Sequence, residues 1–295
     1  MTKISTGVCI LAPPQRPCVV IMLRPSFAEQ LRTCEEINDS LVCVGLDPLP
    51  DAMPAGFDGS DGVLRFCRAI VDAVADLVCA FKPQIAHFAA LGAERELVAL
   101  IEYVHERHPR IPVILDAKRG DVGATAERYA IEVFDRYRAD AATVNPYLGP
   151  EGLRPFLKRA DRGVFILCRT SNPENAWLQD YPSTDPVYLR VARAAADWNV
   201  TGNVMLVVGA TYPEDLRRVR DLVGDMTLLV PGVGSQGGDV AAAVNAGLNS
   251  RQSGLIVNAS RSVLYASNGT DFADAARTSA ATLRNDINRL RRRSL

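Results

Sequence analysis

Eight short apolar, β-branched runs recur along this chain, and helix-like stretches alternate with them. The runs are Leu41–Leu46, Leu77–Phe81, Val113–Leu115, Ala142–Val144, Val164–Leu167, Val204–Val208, Leu228–Val230 and Leu255–Val257. Runs that are apolar throughout suit strands covered on both faces, as in a parallel sheet packed under helices. Helix periodicity marks Gly62–Leu77, Gly92–His105, Ala124–Arg138, Pro186–Trp198, Pro213–Val223 and Val240–Ala246. Pro213-Glu214-Asp215 makes a good helix start, with proline in the first turn and acids at the positive dipole end. Eight alternations with short links predict a single (β/α)8 TIM barrel, an α/β fold that takes about 250 residues. A doubly wound open sheet is the alternative, weakened because no G-x-G-x-x-G follows the first run.

The first 21 residues stand apart from this pattern. Pro13-Pro14 and Pro17 interrupt their apolar stretch, which makes it a poor signal-peptide core. Ser26 and Glu29 then have capping-box spacing and predict a helix start. The expected layout is a poorly ordered extension over 1–21, or else an arm packed on the barrel, followed by a barrel domain over 22–295. No apolar run reaches the ~18 residues of a membrane span. A net charge of −1 argues against broad nucleic-acid binding. The seven cysteines are odd in number and lack a C-x-x-C pair, so reduced thiols in a cytoplasmic protein are expected.

Polar groups cluster just after the apolar runs. They include Asp47, Lys82, Asp116 with Lys118, Asn145, Arg169-Thr170-Ser171, Thr211 and Asn258 to Arg261. In a (β/α)8 barrel the C-terminal ends of the strands carry the active site, so these groups converge on one mouth. The densest cluster is Asp116-Ala117-Lys118-Arg119-Gly120-Asp121, followed by Val122-Gly123-Ala124-Thr125. Asp116 and Lys118 are two apart and should face the same side. Lys82 starts in apolar surroundings and needs a carboxylate, for which Asp116 on the neighbouring strand is the candidate. The expected result is an alternating Lys82–Asp116–Lys118–Asp121 array. Such an array suits chemistry in which a lysine stabilises and then protonates a carbanion while a carboxylate repels a departing one.

A second cluster points to phosphate. The glycine-rich segment Pro231–Gly238 follows the seventh run, and Ser260-Arg261 follows the eighth. Loops in these positions commonly bind phosphate in barrels, and Arg261 offers a planar fork of donors. The Pro231–Gly238 segment is the candidate for a closing loop.

The Asp116–Thr125 run resembles the signature of the orotidine 5′-phosphate decarboxylase family. Phe81-Lys82-Pro83-Gln84, Asn145–Gly149, Arg169–Pro173, Pro231–Gly234 and Ser260-Arg261 are similar to segments of that family, and fit best its longer bacterial branch. The resemblance runs in order from about Leu41 to Ala266 and leaves residues 1–21 outside it. It implies decarboxylation of orotidine 5′-monophosphate to UMP and CO2 in pyrimidine biosynthesis, without metal or organic cofactor. It also implies a homodimer with shared sites. By the same resemblance Asp47 and Lys82 would bind ribose hydroxyls, and Asp116 would sit near the leaving carboxylate. Lys118 would stabilise and protonate C6 of the pyrimidine. Asp121 and Thr125 would reach the partner's ribose, Ser171 the pyrimidine amide edge, and Gln236 and Arg261 the 5′-phosphate. Two rivals are a magnesium-dependent enzyme of the same barrel group acting on a sugar phosphate, and a non-catalytic nucleotide-binding barrel.

Other residues read more simply. His87 is expected to be structural, although it follows the Lys82 strand. His105 and His108 suit the negative end of a helix dipole, as do Arg291–Arg293. Arg119 is expected to be a solvated or interface charge. Trp177 and Trp198 are expected in the core.

Overall fold

The structure, a computed structural model, describes residues 25–233 and 238–293. Eight parallel strands form one sheet. They are β1 (Val42–Leu46), β2 (Ala80–Pro83), β3 (Ile114–Arg119), β4 (Ala141–Val144), β5 (Gly163–Arg169), β6 (Val204–Val208), β7 (Leu228–Val230) and β8 (Leu255–Ala259). Continuous ladders run in the order β2-β1-β8-β7-β6-β5-β4-β3. The remaining joint, between β2 and β3, consists of the isolated bridges Phe81–Val113 and Gln84–Asp116. These close the sheet into the expected barrel, so the open-sheet alternative falls.

Helix α1 (Phe27–Asn38) precedes the barrel. Helix α2 (Gly59–Val74) follows β1, and α3 (Ile85–Ala89) and α4 (Glu94–Arg107) follow β2. Helices α5 (Gly123–Ile131) and α6 (Pro150–Leu157) follow β3 and β4. Helices α7 (Ala176–Gln179) and α8 (Val187–Trp198) follow β5. Helices α9 (Pro213–Val223) and α10 (Val240–Gly247) follow β6 and β7. Helices α11 (Arg261–Leu264) and α12 (Phe272–Arg293) complete the chain after β8.

The capping box forms as expected. Ser26 N donates to Glu29 Oε2 at 2.8 Å, and Glu29 N donates to Ser26 Oγ. The helix it starts plugs the N-terminal end of the barrel. Phe27 and Leu31 join Cys43, Ile114, Phe165 and Met205 in a core inside the strands. Phe27 meets the Phe165 ring edge to face at 5.6 Å. Gly163 makes this approach possible, since a Cβ there would lie 2.5 Å from the Phe27 ring. A larger core fills the layer between strands and helices and holds residues such as Phe66, Ile70, Leu97 and Leu206. The five described cysteines, Cys34, Cys43, Cys67, Cys79 and Cys168, are buried and free. Among the described residues no helix is long and apolar enough to cross a membrane.

Several expectations shift. The second strand starts at Ala80, because Ala75–Leu77 forms a 3-10 turn. Strands β2 and β3 run on through Lys82 and through Asp116–Arg119, so these charges lie within strands rather than after them. Trp177 is 80% exposed and not in the core, whereas Trp198 does pack against the core. Arg119 is held within the chain, forked onto Glu132 and stacked over Tyr129. Arg291 and Arg292, in the last turn of α12 as expected, also reach Asp39 at the end of α1. His105 and His108 do stand in the last turn and at the C-cap of α4, as expected, and in addition bind carboxylates on other segments, Asp140 and Asp72. Residues 1–21 lie outside the described residues, so the proposed extension is not described.

Candidate active site

Alternate residues of each strand point into the barrel. At the C-terminal end, one arc of the wall is polar. It carries Asp47, Lys82, Asp116, Lys118 and Thr143 from β1 to β4 or just beyond them. The opposite arc is apolar, with Leu167, Val207 and Leu229 from β5, β6 and β7. Between them lies a cavity of about 650 Å³, also lined by Ser171, Pro231, Asn258, Ser260 and Arg261. A larger hollow of about 900 Å³ lies at the opposite end, under α1. That end of such barrels serves stability rather than chemistry.

The charges of the polar arc are tightly joined. Lys82 Nζ lies 3.0 Å from Asp116 Oδ2, and Lys118 Nζ lies 2.7 Å from Asp116 Oδ1. Burial opposes the charge on Asp116, but Lys82, Lys118 and the hydroxyl of Thr143 outweigh it. They hold its carboxyl well below the usual carboxylate range. Burial likewise opposes the charge on Lys82, but Asp116 and Asp47 hold its ammonium above the ordinary lysine value. The pair is therefore ionised on both sides.

Lys118 reaches Asp116 by a route that simple alternation does not supply. The β3–β4 register shifts between Leu115 and Arg119. Lys118 itself adopts a left-handed backbone, with φ +45°. Such a conformation costs a residue with a Cβ about 1–2 kcal/mol. Thr143 anchors this bulge: its hydroxyl accepts from Lys118 N at 2.9 Å and donates to Asp116 Oδ1 at 2.7 Å. Sequence reasoning passed over Thr143, whose only signal is a hydroxyl inside an otherwise apolar run.

Asp47 and Asn258 each present a buried oxygen, Oδ1, that has no hydrogen-bond partner among the described residues. Buried acceptors normally have donors, so this wall suits a ligand bearing hydroxyl or amide N–H groups. Tyr265 steadies the end of β1, donating to Asp47 O at 2.9 Å and accepting from Leu49 N at 2.7 Å. Gly45 leaves the required room, since a Cβ there would lie 2.0 Å from Ser260 Oγ. Asn258 stood among the strand-end polar groups of the sequence but had no assigned role. His87 lines the cavity as well, with Nδ1 3.0 Å from Pro48 O.

The structure thus brings together Asp47, Lys82, Asp116, Lys118, Ser171 and Arg261. It does not bring in Asp121 or Thr125, which sit at the start of α5 and do not line the cavity. Asp121 instead accepts from Val122 N at 2.8 Å. The expected four-member array therefore has three members within one chain, Lys82–Asp116–Lys118. Gln236 and the tip of the candidate closing loop lie outside the described residues.

Comparison with known proteins gives a consistent picture. A family model described as "Orotidine 5'-phosphate decarboxylase / HUMPS family" matches residues 40–276. The orotidine 5′-phosphate decarboxylase of Ralstonia pickettii (strain 12J) is 56% identical over 269 residues, covering 90% of this chain and 99% of that protein. The one from Azoarcus sp. (strain BH72) is 55% identical over 268 residues, with the same coverage. Among solved structures, Leishmania donovani OMP decarboxylase superposes with a TM-score of 0.79 at 37% identity, covering 90% of this chain and 99% of that one. Leishmania donovani UMP synthase gives a TM-score of 0.82 at 38% identity, covering 90% of this chain and 56% of that one.

Proposed function

The chain belongs to the orotidine 5′-phosphate decarboxylase / HUMPS family, and from that premise we propose that it decarboxylates orotidine 5′-monophosphate with Lys118 as proton donor. The products are UMP and CO2, and the reaction is the last step of de novo UMP synthesis. The observation that carries this reading is the Lys82–Asp116–Lys118 array facing an apolar wall.

The bond between C6 and the carboxylate breaks, CO2 leaves, and the electron pair stays on C6. Lys118 faces that pair with its ammonium and then donates a proton to C6. Its side chain is half exposed, so it can regain a proton from solvent. A unit-charge contact at ~4 Å is worth about 4 kcal/mol at an effective dielectric of 20. Asp116, held ionised by its two lysines, disfavours the departing carboxylate and not the product. The pyrimidine lies against Leu167, Val207 and Leu229, with Ser171 at its amide edge. Asp47 and Lys82 take ribose hydroxyls, and the unpartnered Asp47 Oδ1 supplies an acceptor for one. Arg261 and Gln236 hold the phosphate, which provides binding energy for closing the site.

Asp121 and Thr125 serve the site of a second copy, and the working unit is a cytoplasmic homodimer. The exposed apolar side chains Val122, Tyr147 and Leu148, adjacent to this pair or on the next strand's loop, support that reading. No metal or organic cofactor takes part, and neither nucleic acid nor membrane is a partner.

The test is turnover by EDTA-treated protein, followed by the ultraviolet change as the orotidine ring becomes a uridine ring. Metal-independent turnover is expected. None from folded protein would favour a sugar-phosphate substrate and magnesium. The shared site has its own test. Inactive Lys118→Ala and Asp121→Ala chains, mixed under subunit exchange, should regain up to about a quarter of wild-type activity through one intact hybrid site. Exchange without recovery would overturn the arrangement.

A further inference from the structure

We propose that Arg169 is a positioning residue that sets the pose of Thr170–Ser171, so that recognition of the base depends on a guanidinium that never touches substrate. The inference rests on the reading of Ser171 given above. Arg169 ends β5 and points away from the cavity into the helix layer. It is 2% exposed and heads the fully buried side chains by volume. An arginine keeps its charge when buried, so it must be neutralised and its donors satisfied.

The surroundings do both. Nε donates to Asp215 Oδ2 on α9 at 3.0 Å. One terminal nitrogen donates to Asn175 Oδ1 at 2.6 Å and meets Asp180 Oδ1 at 2.8 Å, and the other donates to Asp180 Oδ2 at 3.2 Å. The planar face lies 4.1 Å from the centre of the Tyr212 ring. Apart from the helix layer, these partners come from the excursion between β5 and α8.

That excursion leads into the cavity. Asn175, which accepts from Arg169, donates through Nδ2 to Thr170 O. Gln179 accepts from Thr170 N and donates to Thr170 Oγ1, both at 2.9 Å. The next residue, Ser171, lines the cavity. Its carbonyl accepts from Thr211 Oγ1 at 3.2 Å, and its Cα would lie 2.7 Å from a Cβ at Gly209. The backbone that turns from strand end to cavity is therefore clamped between a polar cage and a glycine surface. Asp47 and Arg261, the ribose and phosphate ligands, lie on other segments. A buried ion pair is weak support for stability, because a well-packed apolar side chain of similar volume often does as well. Orientation of this one segment gives the charge a purpose. Lysine, a point charge without the planar fork, cannot hold Asp215, Asn175 and Asp180 together.

The experiment measures UMP and ribose 5-phosphate as competing ligands of wild type, Arg169→Lys, Asp180→Ala and Ser171→Ala, with melting temperatures alongside. Arg169→Lys should weaken UMP about tenfold and leave ribose 5-phosphate within about twofold, the scale of losing one or two hydrogen bonds to the base. Combining it with Ser171→Ala should cost less than the sum of the two, because both act through one contact. Asp180→Ala removes one wall of the cage, should shift UMP in the same direction, and decides the matter if Arg169→Lys does not fold. Equal loss of both ligands, or full additivity with Ser171→Ala, would overturn the positioning role. If wild type itself does not prefer UMP over ribose 5-phosphate, base recognition fails and the proposed function falls with it.

Discussion

Lys118→Ala is expected to lower kcat by on the order of 10⁴ or more, since it removes the proposed proton donor and a preorganised cation at once. UMP should still bind, because the proposed ribose and phosphate ligands Asp47, Lys82 and Arg261 lie on other segments. Steady-state kinetics alongside UMP titration separates the two effects. Retained turnover would end the proton-donor assignment. A companion variant tests the backbone. Lys118 sits at φ +45°, where a Cβ is unfavourable. Lys118→Gly should therefore be as inactive as Lys118→Ala yet about 1 kcal/mol more stable. Equal melting temperatures would mean that the bulge relaxes once the lysine is gone.

Asp116→Asn is expected to lose most activity and about 3 kcal/mol of stability, because it leaves Lys82 buried beside a neutral amide. The stability difference from wild type has a defined pH course. The Asp116 pKa is depressed from 3.8 in the fold, so its contribution is complete above that value and is lost as pH falls through the folded pKa. The Lys82 pKa is raised from 10.5, so its contribution is complete below that value and is lost as pH rises through the folded pKa. Denaturation at pH 7 should show the full difference between Asp116→Asn and wild type, and denaturation near pH 2 a smaller one. A difference that stays constant from pH 7 to pH 2 would mean that the ion pair does not stabilise the fold.

The barrel was legible because its strands are buried on both faces and therefore apolar without interruption. The run Val204–Val208 matches its strand residue for residue. Strand ends were misread where ion pairs stand in for apolar packing, at Lys82 and at Asp116–Arg119. The Lys82–Asp116 contact could be anticipated because a lysine leaving an apolar run has few ways to keep its charge. The role of Thr143 could not, because it depends on a register shift that no local pattern encodes. Asp121 looked like part of the same array from spacing alone. The irregular segment after β3, packed so close to Asn145 that a Cβ at Gly120 would sit 3.0 Å from its side chain, carries Asp121 away from the cavity.

The joint between β2 and β3 is made of isolated bridges, whereas the other seven are strand ladders, two of them with a register shift. The Lys82–Asp116 pair spans that joint. The barrel is in effect a hoop, and its clasp joins two backbone bridges to an ion pair of two residues proposed to work on the substrate. A lineage that lost the chemistry by mutating either residue would also loosen the hoop. Drift toward new substrates is therefore channelled into the surrounding loops and the apolar arc, where side chains can change while the clasp stays shut.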